Sequence, residues 1–395
     1  MPHSVGSEAS EQGRRIASRI EAFVRDQVIP YERDARLTPH GPGEDLVAEL
    51  RSLAGAAGVL TPHIPDGHAH LSHRDTALIF RAAGVSPLGP VAVNVAAPDE
   101  GNMFLLGRVA TPEQQARFLR PVVEGRARSA FFMTEPAEDG GAGSDPSMLI
   151  TTARREDGQW RIDGRKAFIT GAKGASVGIV MALADEGPTM FLLDLPNPAV
   201  RIERVLDTID SSMPGGHSVV KFDGLRVPDH HVLGEVGKGL AYAQVRLAPA
   251  RLTHCMRWLG ACDRAQEIAT AYAVRRKAFG RPLIDHEGVG FMLAENQIDL
   301  QQAWLMIDWV AGLLDAGAKG TLESSMAKVA VSESLFRIAD RCVQVMGGCG
   351  VSGDTVVQQV FREVRAFRIY DGPTEVHKWS IAKTIKRRAT MPEAR

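Results

Sequence analysis

An aspartate in a glycine–proline turn is one side chain of this sequence that could transfer a proton. Asp371 stands in the segment Tyr-Asp-Gly-Pro-Thr at 370–374, next to a predicted helix start. A positioned carboxylate can act as a general base. An aspartate in this setting can also do no more than initiate the turn, because its side chain bonds nearby backbone groups. The segment alone leaves both a catalytic and a local structural role open.

Two other segments carry groups that could hold a polar ligand. Residues 131–145 cluster glycine, serine and threonine, which offer backbone N–H groups and hydroxyls. Residues 275–281 place four cations beside Phe279 and could bind a pyrophosphate or a carboxylate. Each segment equally fits a plain loop or a solvated helix end.

The glycine-rich segment at 348–353 has the letters of a dinucleotide-binding fingerprint, GxGxxG. That fingerprint requires a preceding strand. Here the apolar residues from Leu335 to Met346 recur at helical spacing, so we reject a Rossmann site. A turn that allows close approach to its backbone remains as the interpretation.

Four histidines lie close together in the first third of the chain. The four are His63, His68, His70 and His73; Asp66 is the one carboxylate between them, and no HExxH helix contains them. This pattern favours a solvated loop over a metal centre, and no metal is predicted.

Composition excludes several classes of protein. The 395 residues carry 46 Lys plus Arg against 47 Asp plus Glu, without the basic excess typical of nucleic-acid binding. No apolar run approaches the roughly 18 residues of a membrane span. Glu8 and Glu11 precede any apolar stretch, which argues against a signal or transit peptide.

Cysteine usage is sparse and contains no CxxC pair. It indicates buried free thiols in a reducing compartment, and with no targeting segment we expect a cytoplasmic protein. The four thiols are Cys255, Cys262, Cys342 and Cys349.

Periodicity divides the chain into three domains of an α+β protein. Residues 1–128 read as helical, 129–233 as an antiparallel β-barrel or sandwich, and 234–395 as a helical bundle. An Asp-Gly turn is predicted at 163–164, and Thr111 is predicted to cap a helix that starts at Pro112. The predicted strands are 160–162, 166–170, 177–184, 189–194, 200–206 and 218–222.

Two apolar stripes mark the helix near residue 300 and predict burial inside a bundle or at a subunit interface. The first stripe contains Leu293, Leu300, Trp304, Ile307, Ala311 and Leu314, and the second contains Met292, Ile298, Leu305 and Trp309.

Taken in order, these segments resemble the acyl-CoA dehydrogenase family over essentially the whole chain. Within it the likeness is greatest to the branch of the human members ten and eleven, on residues 97–103 and 371–377. The motifs that carry the resemblance are Met133-Thr134-Glu135-Pro136, Ala142-Gly143-Ser144-Asp145, Ala167-Phe168-Ile169-Thr170, Arg276-Lys277-Ala278-Phe279-Gly280, Gln344-Val345-Met346-Gly347-Gly348 and Ile369-Tyr370-Asp371-Gly372.

The resemblance implies an FAD-dependent dehydrogenase of fatty-acid β-oxidation that converts an acyl-CoA to a trans-2-enoyl-CoA. Asp371 matches the position of the family's base. Implied partners are an electron-transfer flavoprotein and further copies of the chain, as a dimer or dimer of dimers. Substrate contacts are implied for Ser144, Arg251 and Tyr370, and cofactor contacts for Met133, Thr134, Ser144, Phe168, Thr170, Arg276, Phe279, Gln344, Gly347, Gly348, Gly372, Thr374 and Glu375.

The sequence departs from the family pattern near the proposed chemistry. Asp371 replaces the usual glutamate and is one methylene shorter, Ala250 leaves no second candidate base, and Ala248 replaces an aspartate associated with the CoA adenine end. Residues 138–141 lengthen the loop after Thr134. An oxygen-using flavoenzyme of the same fold and a non-catalytic partner subunit that binds FAD or CoA are the two alternatives.

Overall fold

The structure is a computed structural model, and it describes residues 8–65 and 69–390. Two compact units divide the chain: residues 1–32, 71–89 and 248–395 form the first, and residues 33–70 and 90–247 the second. The helices are α1 (Glu11–Phe23), α2 (Glu44–Ala56), α3 (His73–Ala83), α4 (Gly89–Ala92), α5 (Asp99–Val109), α6 (Pro112–Gln114), α7 (Arg120–Val123), α8 (Gly239–Arg275), α9 (Glu287–Asp315), α10 (Thr321–Met346), α11 (Gly348–Val351), α12 (Val357–Phe367) and α13 (Thr374–Thr390).

The first unit is a helical bundle centred on α10. This helix packs against α9 on one side and against α12 and α13 on others, while α3 lies between α1 and α9. Val331, Leu335 and Ile338 of α10 are completely buried. Their i, i+4, i+7 spacing is the pattern of a helix that buries one stripe in a core. Because α10 leads directly to the glycine-rich turn at 347–348, the helix predicted before the GxGxxG segment is confirmed.

The second unit contains the main β-sheet. Its strands run in the order β3-β6-β4-β5-β9-β8, and β7 adds to β6. Most pairings are antiparallel, but β3 and β4 both pair parallel to β6. The strands are β1 (Leu37–Thr38), β2 (Gly41–Pro42), β3 (Ser129–Phe132), β4 (Thr152–Glu156), β5 (Gln159–Thr170), β6 (Val177–Ala184), β7 (Gly187–Asp194), β8 (Val200–Leu206) and β9 (His217–Pro228); β10 (Lys277–Ala278) and β11 (Arg281–Pro282) form a hairpin in the first unit.

Strand β6 has buried apolar side chains on both faces of the sheet. Val177, Ile179 and Met181 contact one apolar core, which also contains Met103 and Phe118 from the helical segments. The alternate residues Val180, Ala182 and Ala184 contact a second core with Trp160 and Phe222. Because successive side chains of a strand point to opposite faces, an apolar run such as this one suits a strand covered on both sides.

The α+β class is confirmed, and every predicted strand lies within an observed one. The predicted strands 160–162 and 166–170 are parts of the single strand β5, however, and β3 and β4 are not among the predicted strands. Strands β6 and β8 have the predicted limits. The turn predicted at Asp163-Gly164 is wrong, because β5 continues through it with a bulge against β9. Gly164 has φ +151°, and a Cβ there would lie 2.6 Å from Thr151 Oγ1, so this glycine serves a close approach. The Asp-Gly turn that joins β4 to β5 is Asp157-Gly158 instead, with φ values of 52° and 72°.

The structure also bears on the predicted features of two helices. The cap predicted at Thr111 is confirmed as a capping box, in which its hydroxyl accepts from the Gln114 N–H and Gln114 bonds the Thr111 N–H in return. On α9 the first apolar stripe is largely buried, whereas Ile298 and Leu305 of the second stripe are each 58% exposed. The second stripe therefore lies on the surface of the chain.

The cysteines and the histidine cluster were each the subject of a prediction. Three of the four free thiols are buried as expected, but Cys349 is exposed because it follows the end of α10. Of the histidine cluster, His68 and Asp66 lie outside the described residues, while His63 and His70 stack edge to face at 5.0 Å. Among residues 8–65 and 69–390 no helix is long and apolar enough to cross a membrane.

Candidate active site

Asp371 lies in the short loop between α12 and α13. Its backbone is left-handed, with φ 54°, and Gly372 follows with φ 101°. Aspartate tolerates this region better than most residues, but it is uncommon. At Gly372 a side chain is excluded twice, since the φ favours glycine and a Cβ would lie 2.5 Å from His377 Nε2. The loop therefore holds Asp371 in a conformation that an ordinary turn does not need.

The backbone of this loop is anchored by basic side chains. Arg251 Nε donates to the Asp371 carbonyl at 3.3 Å, and His377 Nε2 donates to the same oxygen at 3.1 Å. The completely buried Lys328 donates to the carbonyls of Phe367 at 2.7 Å and Gly372 at 2.9 Å. Burial lowers the pKa of Lys328 to about 8 and also lowers the pKa of Arg251. The donors fix the loop from α8, α10 and α13.

The Asp371 side chain faces His254 of α8. Its Oδ2 lies 3.2 Å from His254 Nε2, and the carboxylate side chain is 21% exposed. Tyr370, the predicted substrate contact, has a hydroxyl that accepts a hydrogen bond from Trp258 Nε1 at 2.5 Å. The structure thus places Asp371, Gly372, Arg251 and Tyr370 close together, and their roles in catalysis and binding remain predictions.

Thr374 and Glu375, the other two predicted cofactor contacts of this segment, differ in burial. Thr374 is buried at the start of α13, and its hydroxyl donates to Glu333 Oε1 at 2.7 Å. Glu375 is exposed on the first turn of α13. Thr374 therefore stabilises the loop, and its predicted cofactor contact remains a prediction, as does that of Glu375.

Acid pH provides a test of the loop's anchoring through His377. Burial lowers the pKa of His377 to about 4, below the ordinary 6.5, so the unfolded chain binds a proton that the folded chain refuses. Stability from this group is present above about pH 6.5 and is lost as the pH falls toward 4. We expect His377→Gln, which retains a donor but does not titrate, to lose about 1 to 3 kcal/mol less than the parent between pH 7 and 4.5. Urea unfolding at both pH values measures this, and equal losses in the two proteins would contradict it.

In the second unit a buried ion pair shapes the loop after β3. The Glu135 carboxylate accepts from the N–H groups of Ala142, Ile150 and Thr151 at 2.8–3.0 Å and from Lys166 Nζ at 3.0 Å. Burial opposes the charge of Glu135, but these donors outweigh it and hold its pKa at about 2. Burial lowers the pKa of Lys166 to about 8, so both groups are ionised at neutral pH.

This network positions the predicted flavin contacts of the same loop. Lys166 also donates to the Met133 carbonyl at 3.1 Å, and the Ala167 N–H donates to the Thr134 carbonyl at 2.8 Å. Met133 and Thr134 are half-buried, whereas Ser144 is exposed. In the lengthened part of the loop, Asp139 pairs with Arg165 of β5 at 2.8 Å.

Phe168 lies on the second bulge of β5 with its ring 62% exposed. Its φ is 56°, a costly conformation for an aromatic residue, on the order of 1–3 kcal/mol. Two residues further on, Thr170 Oγ1 lies 2.9 Å from His217 Nδ1, and His217 Nε2 lies 2.8 Å from Asp210 Oδ2. Burial acts to raise the pKa of Asp210, but the hydrogen bond with His217 outweighs it, so the pKa lies below its ordinary value. An exposed aromatic ring beside a held hydroxyl is suited to a planar polar heterocycle.

The remaining predicted cofactor residues are exposed on the first unit. Phe279 is 95% exposed at the tip of the β10–β11 hairpin, again with a positive φ of 49°. Arg276 precedes the hairpin and is exposed, as are Gln344, Gly347 and Gly348 at the end of α10. Within the described part of the chain, no atom lies within 4 Å of the position that a Cβ would take at Gly347 or Gly348, and both glycines are exposed.

Sequence reasoning missed His254, Lys328, His217 and the Glu135–Lys166 pair. A signal existed for His254, because Arg251, His254 and Trp258 recur at i, i+3 and i+7 and therefore share a face of α8. Lys166 also left a trace, as a charged residue at an inward position of an alternating strand. The partners of both lie far away in sequence, which no local pattern reveals.

Family models match almost the whole chain. The acyl-CoA dehydrogenase N-terminal domain matches residues 10–126, the middle domain residues 130–222 and the C-terminal domain residues 237–386. Helices on both sides of a β domain, in this order, define the class of protein as one with the acyl-CoA dehydrogenase fold. The chain belongs to the acyl-CoA dehydrogenase family.

Individual proteins that the chain resembles are also named as acyl-CoA dehydrogenases. Mouse "Acyl-CoA dehydrogenase family member 10" is 32% identical over 96% of this chain, which spans only 37% of that relative's length. The Mycobacterium tuberculosis protein "Probable acyl-CoA dehydrogenase FadE2" is 34% identical over 93% of each chain. The butyryl-CoA dehydrogenase of Megasphaera elsdenii has a similar structure, with a TM-score of 0.85, 25% identity, and coverage of 96% of this chain and 100% of that chain.

Proposed function

We propose that this chain is an FAD-dependent acyl-CoA dehydrogenase that converts an acyl-CoA thioester to the trans-2-enoyl-CoA. The observation that carries the proposal is Asp371, a carboxylate at the family's base position on a loop anchored by Arg251, Lys328 and His377. A fixed carboxylate is what proton removal from carbon requires. Ala250 supports the assignment, since it offers no competing acid.

The roles follow from the electronic structure of a thioester. Its carbonyl acidifies the α-carbon, so Asp371 takes the α-proton and the electron pair of that bond becomes the double bond between the α- and β-carbons. Bound FAD supplies the acceptor for the hydride that leaves the β-carbon. Asp371 afterwards returns its proton to solvent. Ser144, Arg251 and Tyr370 are proposed to contact or orient the substrate.

The residues present fit FAD. Phe168 and Thr170, with Met133, Thr134 and Ser144, would hold the flavin end. Arg276 and Phe279, with Gln344, Gly347 and Gly348, would hold the pyrophosphate and adenine end from a second copy of the chain; Gly372, Thr374 and Glu375 complete the proposed set. Phe279 is 95% exposed, and the ring of His286 lies edge to face with it at a centroid distance of 6.1 Å. Most of the Phe279 ring is therefore accessible to a ligand, which supports this role.

Assembly and electron transfer complete the proposal. The exposed second stripe of α9 supports a homodimer or dimer of dimers, since an apolar helix face is stabilised by a partner. An electron-transfer flavoprotein is the proposed acceptor of the electrons, and β-oxidation is the proposed setting.

Spectroscopy of the purified protein tests the function. We expect a yellow protein with about one FAD per chain, whose visible absorbance bleaches when a substrate from a panel of acyl-CoA thioesters is added without oxygen. Mass spectrometry should find a product that has lost two hydrogens. A protein that binds FAD but bleaches with no member of a panel varied in chain length and branching would contradict the proposal, and peroxide formed stoichiometrically under air would favour the oxidase alternative.

Phe168 gives a separate test of the cofactor assignment. Phe168→Gly relieves the left-handed strain, and the ring it removes is largely exposed, so the free energy of unfolding without FAD should change by less than about 1 kcal/mol. FAD binding should weaken by about two- to tenfold, because one aromatic stacking contact is worth about 0.5–1.5 kcal/mol. Fluorescence titration of the apoprotein with FAD measures this. Unchanged affinity would show that Phe168 does not contact the flavin.

A further inference from the structure

Asp371 is the end of a line of three side chains in contact, and the other two, His254 and Arg257, lie on α8. Arg257 Nη2 lies 3.0 Å from His254 Nδ1, and His254 Nε2 lies 3.2 Å from Asp371 Oδ2. Both basic residues are more than nine-tenths buried. The imidazole also lies between aromatic rings, with centroid distances of 4.9 Å to Tyr370 and 5.7 Å to Phe367. Its plane is therefore fixed as well as its polar contacts.

The direction of these hydrogen bonds follows from what each group can do. A guanidinium has only donors, so His254 Nδ1 must accept from Arg257 and carries no proton. The ring proton then sits on Nε2, which donates to the Asp371 carboxylate. A proton on Nδ1 would point an N–H at the N–H of the guanidinium, which the geometry of this contact opposes. Arg257 thus favours the tautomer of His254 that carries its proton on Nε2.

We propose that His254 is a positioning residue that aims the Asp371 carboxylate at the substrate, with Arg257 fixing its tautomer; this rests on the proposed function of Asp371. Aspartate is one methylene shorter than the glutamate usual at this position, so its carboxylate reaches less far and its rotation matters more. A hydrogen bond to one oxygen restrains rotation about the last side-chain bond, and a misplacement near 1 Å can cost on the order of 100-fold in rate. Anchoring of the loop backbone by Arg251, Lys328 and His377 does not restrain that rotation.

Variants of His254 separate positioning from packing. In the FAD-loaded chain, His254→Leu should lower the maximal rate of anaerobic flavin bleaching by about 10- to 100-fold, with little change in the acyl-CoA concentration that gives half the maximal rate. His254→Gln keeps an N–H donor at a similar reach and should retain the rate to within about fivefold. Parent-like rates in the Leu variant, or equal losses in both variants, would overturn the proposal.

Ring NMR provides a readout that does not depend on turnover. In protein labelled with 15N-histidine and assigned by comparison with His254→Gln, the parent should show the His254 proton on Nε2. In Arg257→Met the signal should shift toward the other tautomer or the charged ring. A proton on Nδ1 in the parent would overturn the proposal even if Asp371 proved to be the base, and the Nε2 tautomer would stand even if no acyl-CoA bleached the flavin. The two proposals therefore fail separately.

Discussion

Replacing Asp371 with asparagine is expected to lower the rate of flavin reduction by an acyl-CoA by about 10²- to 10⁴-fold, the usual contribution of a positioned base. The amide has nearly the same shape as the carboxylate, and the loop is held by contacts to backbone oxygens of Asp371 and Gly372. FAD content and acyl-CoA binding should therefore remain close to those of the parent. Rapid mixing without oxygen measures the rate, and difference absorbance measures binding.

Asp340→Asn is the matched control for this change. Asp340 is an exposed acid on α10, a helix of the same unit, and its replacement should leave the rate unchanged. If Asp371→Asn bleached its flavin at the parent rate, the base would have to be a different residue. Equal losses in both variants would instead indicate a general effect of charge.

Of the substitutions for which we expect an effect on stability, Lys166→Met should lower the free energy of unfolding the most. The change leaves the completely buried Glu135 without its ammonium partner, and removal of one member of a buried ion pair costs about 3–5 kcal/mol. The three N–H donors to Glu135 remain, but they do not neutralise its charge. Urea unfolding at pH 7 measures the loss. Lys173→Met, at an exposed position after β5, is the control and should change stability by less than about 0.5 kcal/mol.

At acid pH the free energies of unfolding of Lys166→Met and of the parent should differ less than at neutral pH. In the parent, Glu135 has a folded pKa of about 2 against an ordinary 4.5, so its stabilisation is present above pH 4.5 and is lost as the pH falls toward 2. Without Lys166 the folded pKa rises, and the variant loses less over the same range. The gap in unfolding free energy should therefore be smaller at pH 4 than at pH 7. A gap that stayed constant or widened would mean that Glu135 is not charged in the parent.

The sequence predicted those parts of the fold that short periodic patterns determine. Strands β6 and β8 have the limits that alternation and apolar runs predict, and Thr111 caps its helix as expected. The two Asp-Gly pairs show where such reasoning fails. Both have turn chemistry, but only Asp157-Gly158 makes the turn, because Gly164 is required by its close contact with Thr151, 13 residues away in sequence.

Motifs in the sequence name some residues of the candidate site, whereas contacts that span the chain add residues that no motif names. Asp371, Arg251 and Tyr370 were found through a resemblance to known motifs. His254 was missed because its partner is 117 positions further along the chain, and Lys166 because its pair with Glu135 bridges a loop and a strand. Three of the predicted site residues, Phe168, Phe279 and Asp371, also have a positive φ that local propensity disfavours. Departures of this kind are expected at functional positions, where geometry is selected over local stability.

The most direct test of the account uses an acyl-CoA with two deuterium atoms on its α-carbon. If Asp371 removes the α-proton during dehydrogenation, flavin bleaching should be slower than with the unlabelled compound, and the enoyl-CoA should lack one deuterium and one β-hydrogen. Asp371→Asn should form this product at most slowly. A product that retained both deuterium atoms, or bleaching at the same rate with both substrates, would contradict the account.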